Sequence, residues 1–573
     1  MPAIVGLISD IIAISWGYPS KCKWTGKIRV IFGPEFGVSF LQISGVNPSI
    51  YLYFHSCPSF HSVQQFTCQL SRYLWQLRVS PNMAITKALK SRNASLLSTR
   101  AISSQTLPRR SSIASDHTTS DKFPLSQTIT VKSPPKMAKP TPLSILPLSS
   151  ILRSLATMSI SSSPLLLRPS LAIMAKLAHS QSALLSPDSN PLLRIFLKRT
   201  FYKQFCAGEN EAEVRQTVDS LRNLGFSGVI LAYAKEVVLD KKQTDALASS
   251  GNNEAAEAFI RNEIIPWANG TLETVRMTRP GDYVALKFTG AGSQALYDLS
   301  RQADPSPALK EAIDSVCDLA AEKGVKLLFD AEQAALQPGI DAWTLKYMEK
   351  YNKTANGEAV IYGTYQAYLK GTPAVVASHL EAAQKGGFTL GVKLVRGAYL
   401  GSDPRHLIHD TKADTDAAYD GIASALVLRS YNSILQPSSK STASSPFPNV
   451  AVVLAGHNIN SVRKVQALCS QQLRHGNKAP DVIYAQLQGM ADEVSCELVL
   501  AGKQALAKSG MEKSVDVPKA YKYLVWGTTG ECMKYLFRRA QENKDAVQRT
   551  REGRDAMAGE LWRRVKMGFG FGA

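Results

Sequence analysis

From Gly208 onward the chain alternates between two hydrophobic rhythms. Short apolar runs rich in Val, Ile, Leu and Tyr are separated by longer stretches whose apolar positions recur every three or four residues. The short runs are Gly228–Tyr233, Tyr283–Phe288, Val325–Asp330, Ala359–Gly363, Phe388–Val395, Val450–Ala455, Val482–Gln486 and Tyr521–Val525. Amphipathic stretches such as Ala308–Lys323 and Asp414–Tyr431 lie between them. Near-continuous apolar strands that alternate with helices predict a parallel sheet covered on its faces. Eight such units over about 300 residues predict a (β/α)8 barrel, an α/β fold of the TIM kind. An open doubly wound sheet is the alternative, but no G-x-G-x-x-G follows a strand.

Upstream the rhythm is lost. Residues 1–82 mix aromatics, Gly and Pro without a sustained period, and are expected to be a disordered segment or an extension before the working start. At Met83 the texture changes. Met83 to Arg100 is Ser-rich, basic and free of acids, the composition of a mitochondrial presequence. Residues 83–139 are therefore expected to be presequence and Ser/Thr/Pro-rich linker, with Met83 as the working start. Residues 140–207 carry apolar stretches broken by Pro142, Pro147, Pro164, Pro169, Pro187 and Pro191, which predicts a helical arm that packs on another surface. The barrel is assigned 208–573, with Gln436–Pro446 as a polar surface loop.

Charge supports that division. The net charge is +20, yet the first 200 residues hold 22 Lys+Arg against five acids, and the remaining 373 hold 44 against 41. The basicity belongs to the leader, so no nucleic-acid partner is expected for the folded part. Eight cysteines are scattered without a C-x-x-C or a Cys/His pair at ligand spacing, so neither a disulfide framework nor a metal site is expected. No run of 18 apolar residues predicts a spanning helix.

In a barrel of this kind chemistry gathers where strands end. Here the predicted strands end in Lys287-Phe-Thr289, Asp330-Ala-Glu332, Tyr365-Gln366-Ala-Tyr368, Lys393-Leu-Val-Arg396-Gly397-Ala398-Tyr399, Gly456-His457-Asn458, Gln486-Leu487-Gln488 and Tyr523. Burying that many uncompensated charges costs several kcal/mol each, and a polar ligand at a common mouth would offset the cost. A last helix adds to this set. At about 100° per residue, Tyr535, Arg538, Arg539 and Glu542 share one face, a cationic fork beside an aromatic plate. That fork suits a small ligand with a carboxylate and an apolar ring.

The runs Lys393-Leu-Val-Arg-Gly-Ala-Tyr399, Phe329-Asp-Ala-Glu332, Tyr365-Gln-Ala-Tyr368, Gly456-His-Asn458 and Tyr535-Leu-x-Arg-Arg-x-x-Glu-Asn543 together resemble proline dehydrogenase of the fungal mitochondrial type. The likeness covers roughly Pro140 to Gly568. It implies a barrel that holds non-covalent FAD and oxidises L-proline to Δ1-pyrroline-5-carboxylate, passing electrons to membrane quinone. It also implies a peripheral place on the matrix side of the inner mitochondrial membrane. Arg538, Arg539 and Lys287 would bind the proline carboxylate, with Glu542 steadying Arg538. Tyr523, Tyr535 and Leu487 would wall the ring, and Asp330 would orient these groups. Gln366, Lys393, Arg396, Gly397, Ala398, His457, Asn458 and Gln486 would hold the flavin. Bacterial relatives tend to reverse the two basic residues of the fifth strand. Three positions apart, Lys393 and Arg396 point to opposite faces unless the chain turns at Gly397. A folate-reductase-like flavin barrel and a barrel that binds without turnover stay open as alternatives.

Overall fold

The computed structural model describes residues 27–32, 38–44, 50–55, 141–180, 182–235, 254–439, 445–477, 480–509, 515–543 and 547–569. The expected presequence and linker at 83–139 lie outside the described residues. The chain divides into two units, Met1–Thr128 and Ile129–Ala573. In the first, Lys27–Phe32, Val38–Ser44 and Ile50–His55 form an antiparallel sheet, in which Leu41 stands opposite both Val30 and Leu52. The irregular pattern of that segment does not predict these strands.

The second unit holds a closed eight-stranded barrel. Its strands are β1 (Gly228–Tyr233), β2 (Tyr283–Leu286), β3 (Lys326–Phe329), β4 (Ile361–Gln366), β5 (Leu390–Val395), β6 (Val450–Ala455), β7 (Asp481–Leu487) and β8 (Lys519–Trp526). All pairs are parallel, and β8 closes on β1 with Tyr523 opposite Ile230. A parallel pair needs a crossover, and the helices that follow most strands supply it.

Alternation then sorts the side chains. Leu231, Val284, Leu327, Phe329, Val392 and Leu454 face outward into the main core with the helices. Ile230, Tyr283, Leu328, Tyr362, Val453, Ile483 and Tyr521 face the axis. The rings of Tyr362 and Tyr521 both meet Tyr283 edge-on at 5.5 Å and plug the lower half of the barrel. Ligand chemistry is left with the upper half, beyond this floor.

The arm is helical and wraps the barrel's last helices. Helix Leu148–Ser162 packs on Val547–Gly568, sealing Ile151 and Met557. Helix Pro164–His179 packs on Thr529–Asn543, where the His179 and Phe537 rings meet edge-on at 5.7 Å. Pro164 and Pro191 each open a helix, where a missing N–H costs nothing. Pro169 lies inside one. Among the described residues, no helix is long and apolar enough to cross a membrane.

Candidate functional site

At the C-terminal ends of the strands, three charged side chains meet on the axis. Asp330 follows β3 and is 4 % exposed. Its Oδ1 accepts from Lys393 Nζ of β5 at 2.5 Å, and its Oδ2 accepts from Lys287 Nζ, just past β2, at 3.2 Å. Tyr523 of β8 donates its hydroxyl to the same Oδ2 at 3.0 Å. The Lys393 ammonium also stands 5.1 Å from the centre of the Tyr523 ring. Four strands distant in sequence thus converge on one carboxylate.

Burial alone would push the Asp330 carboxyl up. The attraction of Lys393 and Lys287, with hydrogen bonds from Lys393 and Tyr523, outweighs it and holds the group at about 2. Lys393 goes the other way. Burial pulls its ammonium below the ordinary lysine range, and Lys287 and Arg539 add repulsion that Asp330 only partly offsets. Burial and the Asp330 charge raise the Tyr523 phenol well above its ordinary range, so it stays a donor. The cluster carries more positive than negative charge and is shielded from water.

Helix Thr529–Asn543 lies over this cluster and presents the predicted fork. Arg539 sits 5.5 Å from the centre of the buried Tyr535 ring, and Arg538 5.8 Å from that of Tyr399. Arg539 is close enough to act on Lys393 and Tyr523 electrostatically. The Glu542 side chain lies outside the described residues.

The arm sets the start of this helix. Glu209 Oε1 accepts from the backbone N–H and hydroxyl of Thr529 at 3.0 and 2.7 Å, and Asp188 Oδ1 accepts from Gly530 N at 3.0 Å. Anions at a helix N-terminus are stabilised by its free N–H groups and its dipole. Burial would raise the Glu209 carboxyl, but bonds from Arg194, Lys198 and Thr529 bring it down to about 2. Nothing in the sequence singles out either carboxylate, because the helix they cap begins more than 300 residues downstream.

The residues assigned to a flavin fall into two groups. Gln366, Ala398 and His457 tie the strand-end loops together around the mouth, the last through the backbone of the ring-wall residue Leu487. Gln366 Oε1 accepts from Ala398 N at 3.0 Å, and His457 Nε2 accepts from Leu487 N at 3.2 Å. Gly397, at φ 153°, presses on the Tyr368 ring, where an added Cβ would fall 2.5 Å from its carbons. Asn458 and Gln486 serve local structure instead. Asn458 caps helix Ile459–Arg474, and Gln486 accepts from Ser495 while donating to the Gly456 carbonyl. Arg396 does leave on the opposite side from Lys393. It pairs with Asp416 at 2.8 Å, bonds Ser461 at 2.9 Å and lies 4.2 Å from the Tyr419 ring centre. Its Nη1 is buried without a hydrogen-bond partner among the described residues and stands by Gly456, where a Cβ would be 3.3 Å away. A buried cationic nitrogen without a partner, beside a bare backbone, would fit an acceptor oxygen of an anionic cofactor such as FAD.

Sequence reasoning passes over Thr364 on β4, which faces the axis between Asp330 and Lys393. The two-residue step from Tyr362 through Thr364 to Gln366 is the signal that could have found it.

The model of the proline dehydrogenase family matches residues 214–552, more than half of the chain. A protein of Schizosaccharomyces pombe named probable proline dehydrogenase, mitochondrial, is 30 % identical over 411 residues, 65 % of this chain and 80 % of that one. A hydroxyproline dehydrogenase of Bos taurus is 29 % identical over 429 residues, 68 % of this chain and 86 % of its own length. Among solved structures, a proline utilization A protein of Bdellovibrio bacteriovorus inactivated by N-propargylglycine aligns with TM-score 0.49 and 18 % identity. It covers 68 % of this chain, which spans 38 % of that longer protein. With its closed parallel barrel and the matched span, the chain belongs to the proline dehydrogenase family of oxidoreductases.

Proposed function

We propose that the chain oxidises L-proline to Δ1-pyrroline-5-carboxylate with FAD, by hydride transfer from proline C5 to flavin N5, and delivers the electrons to a membrane quinone. The observation that carries this reading is the cation-rich mouth around Asp330, roofed by the Tyr535, Arg538 and Arg539 face. FAD, when bound, supplies the electron sink. The protein's own part is binding, orientation and exclusion of water. Arg538, Arg539 and Lys287 hold the substrate carboxylate as a handle. Tyr523, Tyr535 and Leu487 wall the ring. Asp330 fixes Lys287, Lys393 and Tyr523 by three hydrogen bonds, so that the groups are in place before substrate arrives. Lys393, Arg396, Gly397, Ala398, Gln366 and His457, with the loops ordered by Asn458 and Gln486, hold the cofactor. Positive charge at Lys393 favours the electron-rich reduced ring. The substrate amine must be neutral when hydride leaves, and binding the free amine meets that need without a strong base.

We infer a peripheral location on the matrix side of the inner mitochondrial membrane. The arm exposes Leu165, Leu184 and Leu192 to 86, 74 and 78 %. Between residues 141 and 207 it carries a single acid, Asp188, among basic residues that include Arg168, Lys176, Lys198 and Arg199. Exposed apolar side chains on a segment with a basic balance suit an anionic lipid surface, although Lys198 is already paired with Glu209 and Glu213. Sedimentation with cardiolipin vesicles but not with neutral ones is the expected result, and equal recovery in the supernatant would remove the idea.

The central test is optical. Purified protein reconstituted with FAD should be yellow, and L-proline should bleach the flavin band without any nicotinamide. Bleaching by a nicotinamide and not by proline would favour the folate-reductase alternative. Binding of proline without bleaching would leave a non-enzymatic barrel. Relatives named for proline and for hydroxyproline stand at nearly equal identity, so the assay is run with both, and proline is expected to be turned over faster.

A further inference from the structure

Asp330, Thr364 and Lys393 are neighbours across β3, β4 and β5. Phe329 stands opposite Gly363, which brings Asp330 opposite Thr364, and Thr364 is paired with Lys393. Alternation turns all three toward the axis, as it does Leu328 and Tyr362 one step below. Lys393 therefore reaches Asp330 by passing over Thr364. Thr364 is 6 % exposed, and its Oγ1 is buried with no hydrogen-bond partner among the described residues.

A buried hydroxyl without a partner forfeits its hydration, and native proteins seldom keep one. Valine has the same shape and would fill this place at no such cost. The Lys393 ammonium has three N–H donors, and Asp330 accepts one of them. An unmet hydroxyl and an ammonium with donors to spare thus arise from paired positions of β4 and β5 that both face the axis. Four groups face this ammonium: Asp330 after β3, Lys287 after β2, Tyr523 on β8 and Arg539 on the overlying helix. Two of the four are cations, so each acceptor added to the ammonium helps it keep its proton.

We propose that Thr364 is a positioning residue that works through Lys393: once the mouth is filled, the Thr364 hydroxyl takes one of the N–H groups that the Lys393 ammonium does not give to Asp330, directly or through one water. This rests on the flavin-dependent reading above. The hydroxyl stays unmet until the mouth is filled, and its cost falls on the unliganded protein alone.

The experiment uses the full chain with Thr364→Val and Thr364→Ser, read by melting of the FAD-free protein and by FAD titration between pH 7 and 10. T364V should melt at or above the wild-type temperature, because it loses an unmet polar group. It should bind FAD about tenfold more weakly, and the alkaline loss of binding should move to lower pH. T364S should restore both the affinity and the pH position. The proposal is overturned if T364V keeps the wild-type affinity and pH midpoint, or if T364S fails as T364V does. It is also overturned if a lower melting temperature is the only change, since that would mark simple packing. The titration needs no proline, so a wild type that binds FAD but is not bleached by proline would sink the functional reading and leave this one to be judged separately.

Discussion

The two ends of the barrel carry the same arrangement of charges in different surroundings. At the bottom, Asp481 at the start of β7 lies between Lys519 at 2.6 Å and Lys326 at 3.4 Å. At the mouth, Asp330 lies between Lys393 at 2.5 Å and Lys287 at 3.2 Å. The Asp481 side chain is 37 % exposed and that of Lys519 49 %, whereas Asp330 and Lys393 are 6 and 7 % exposed. The Lys326 side chain is only 18 % exposed, but water reaches Asp481 and Lys519 and screens their attraction, so the net contribution of the lower trio is small. The upper trio has been taken out of water, and its attraction must offset a large desolvation cost. One motif is a rivet at the surface; the other is a poised site. Burial, not composition, makes the difference.

Removing each aspartate is the sharpest way to break this comparison. Asp330→Asn should cost about 3–5 kcal/mol in urea unfolding, because two lysines are left facing each other in a dry site, and proline turnover should vanish. The effect should depend on pH. The folded carboxyl sits at about 2 and the unfolded one near 3.9, roughly the ordinary value. Its stabilisation is therefore complete above about pH 4 and fades as pH falls from there toward about 2. Wild type and D330N should converge across that window, and parallel curves would refute the pair's role.

Arg538→Met tests whether the mouth is a site and not merely a strained core. It should lower kcat/KM for proline on the order of 100-fold while the melting temperature changes little. An equal loss of stability and activity would count the other way. Gly397→Ala combines a φ of 153° with a Cβ 2.5 Å from the Tyr368 ring, and should cost about 1–3 kcal/mol. At the bottom, Asp481→Asn should change stability by about 1 kcal/mol or less and leave turnover intact. A large effect there would erase the distinction between the two ends.

Much of the frame behind this contrast is legible in the amino-acid sequence. Hydrophobic rhythm places all eight strands, and Gly228–Tyr233 and Val450–Ala455 match residue for residue. Strand ends are harder. Apolar character carries the second run on to Phe288, but the chain turns into a short 3-10 helix at Phe288–Ala291, which aims Lys287 across the mouth. The fourth run stops at Gly363 on the same criterion, because polar Thr364 and Gln366 read as loop when they are the inward-facing end of β4. The opposed directions of Lys393 and Arg396 follow from two-residue alternation. What alternation cannot supply is partners. Asp416 and Ser461 lie on neighbouring helices 20 and 65 residues from Arg396, and nothing local marks them as its counterparts. Alternation does not supply the Asp330 contacts either, and only the family resemblance points to them, since pairing across a closed barrel is a property of its closure.

Glu209 and Asp188 give the arm a weight that its position as a leading segment conceals. Both carboxylates sit upstream of the barrel strands, yet they anchor the first turn of the helix that brings Arg538 and Arg539 over the mouth. Trimming the chain to its eight strands and their crossovers would leave that helix loosely hinged at one end. Minimal versions for expression or engineering should therefore begin ahead of residue 188, or carry a replacement acid for each anchor.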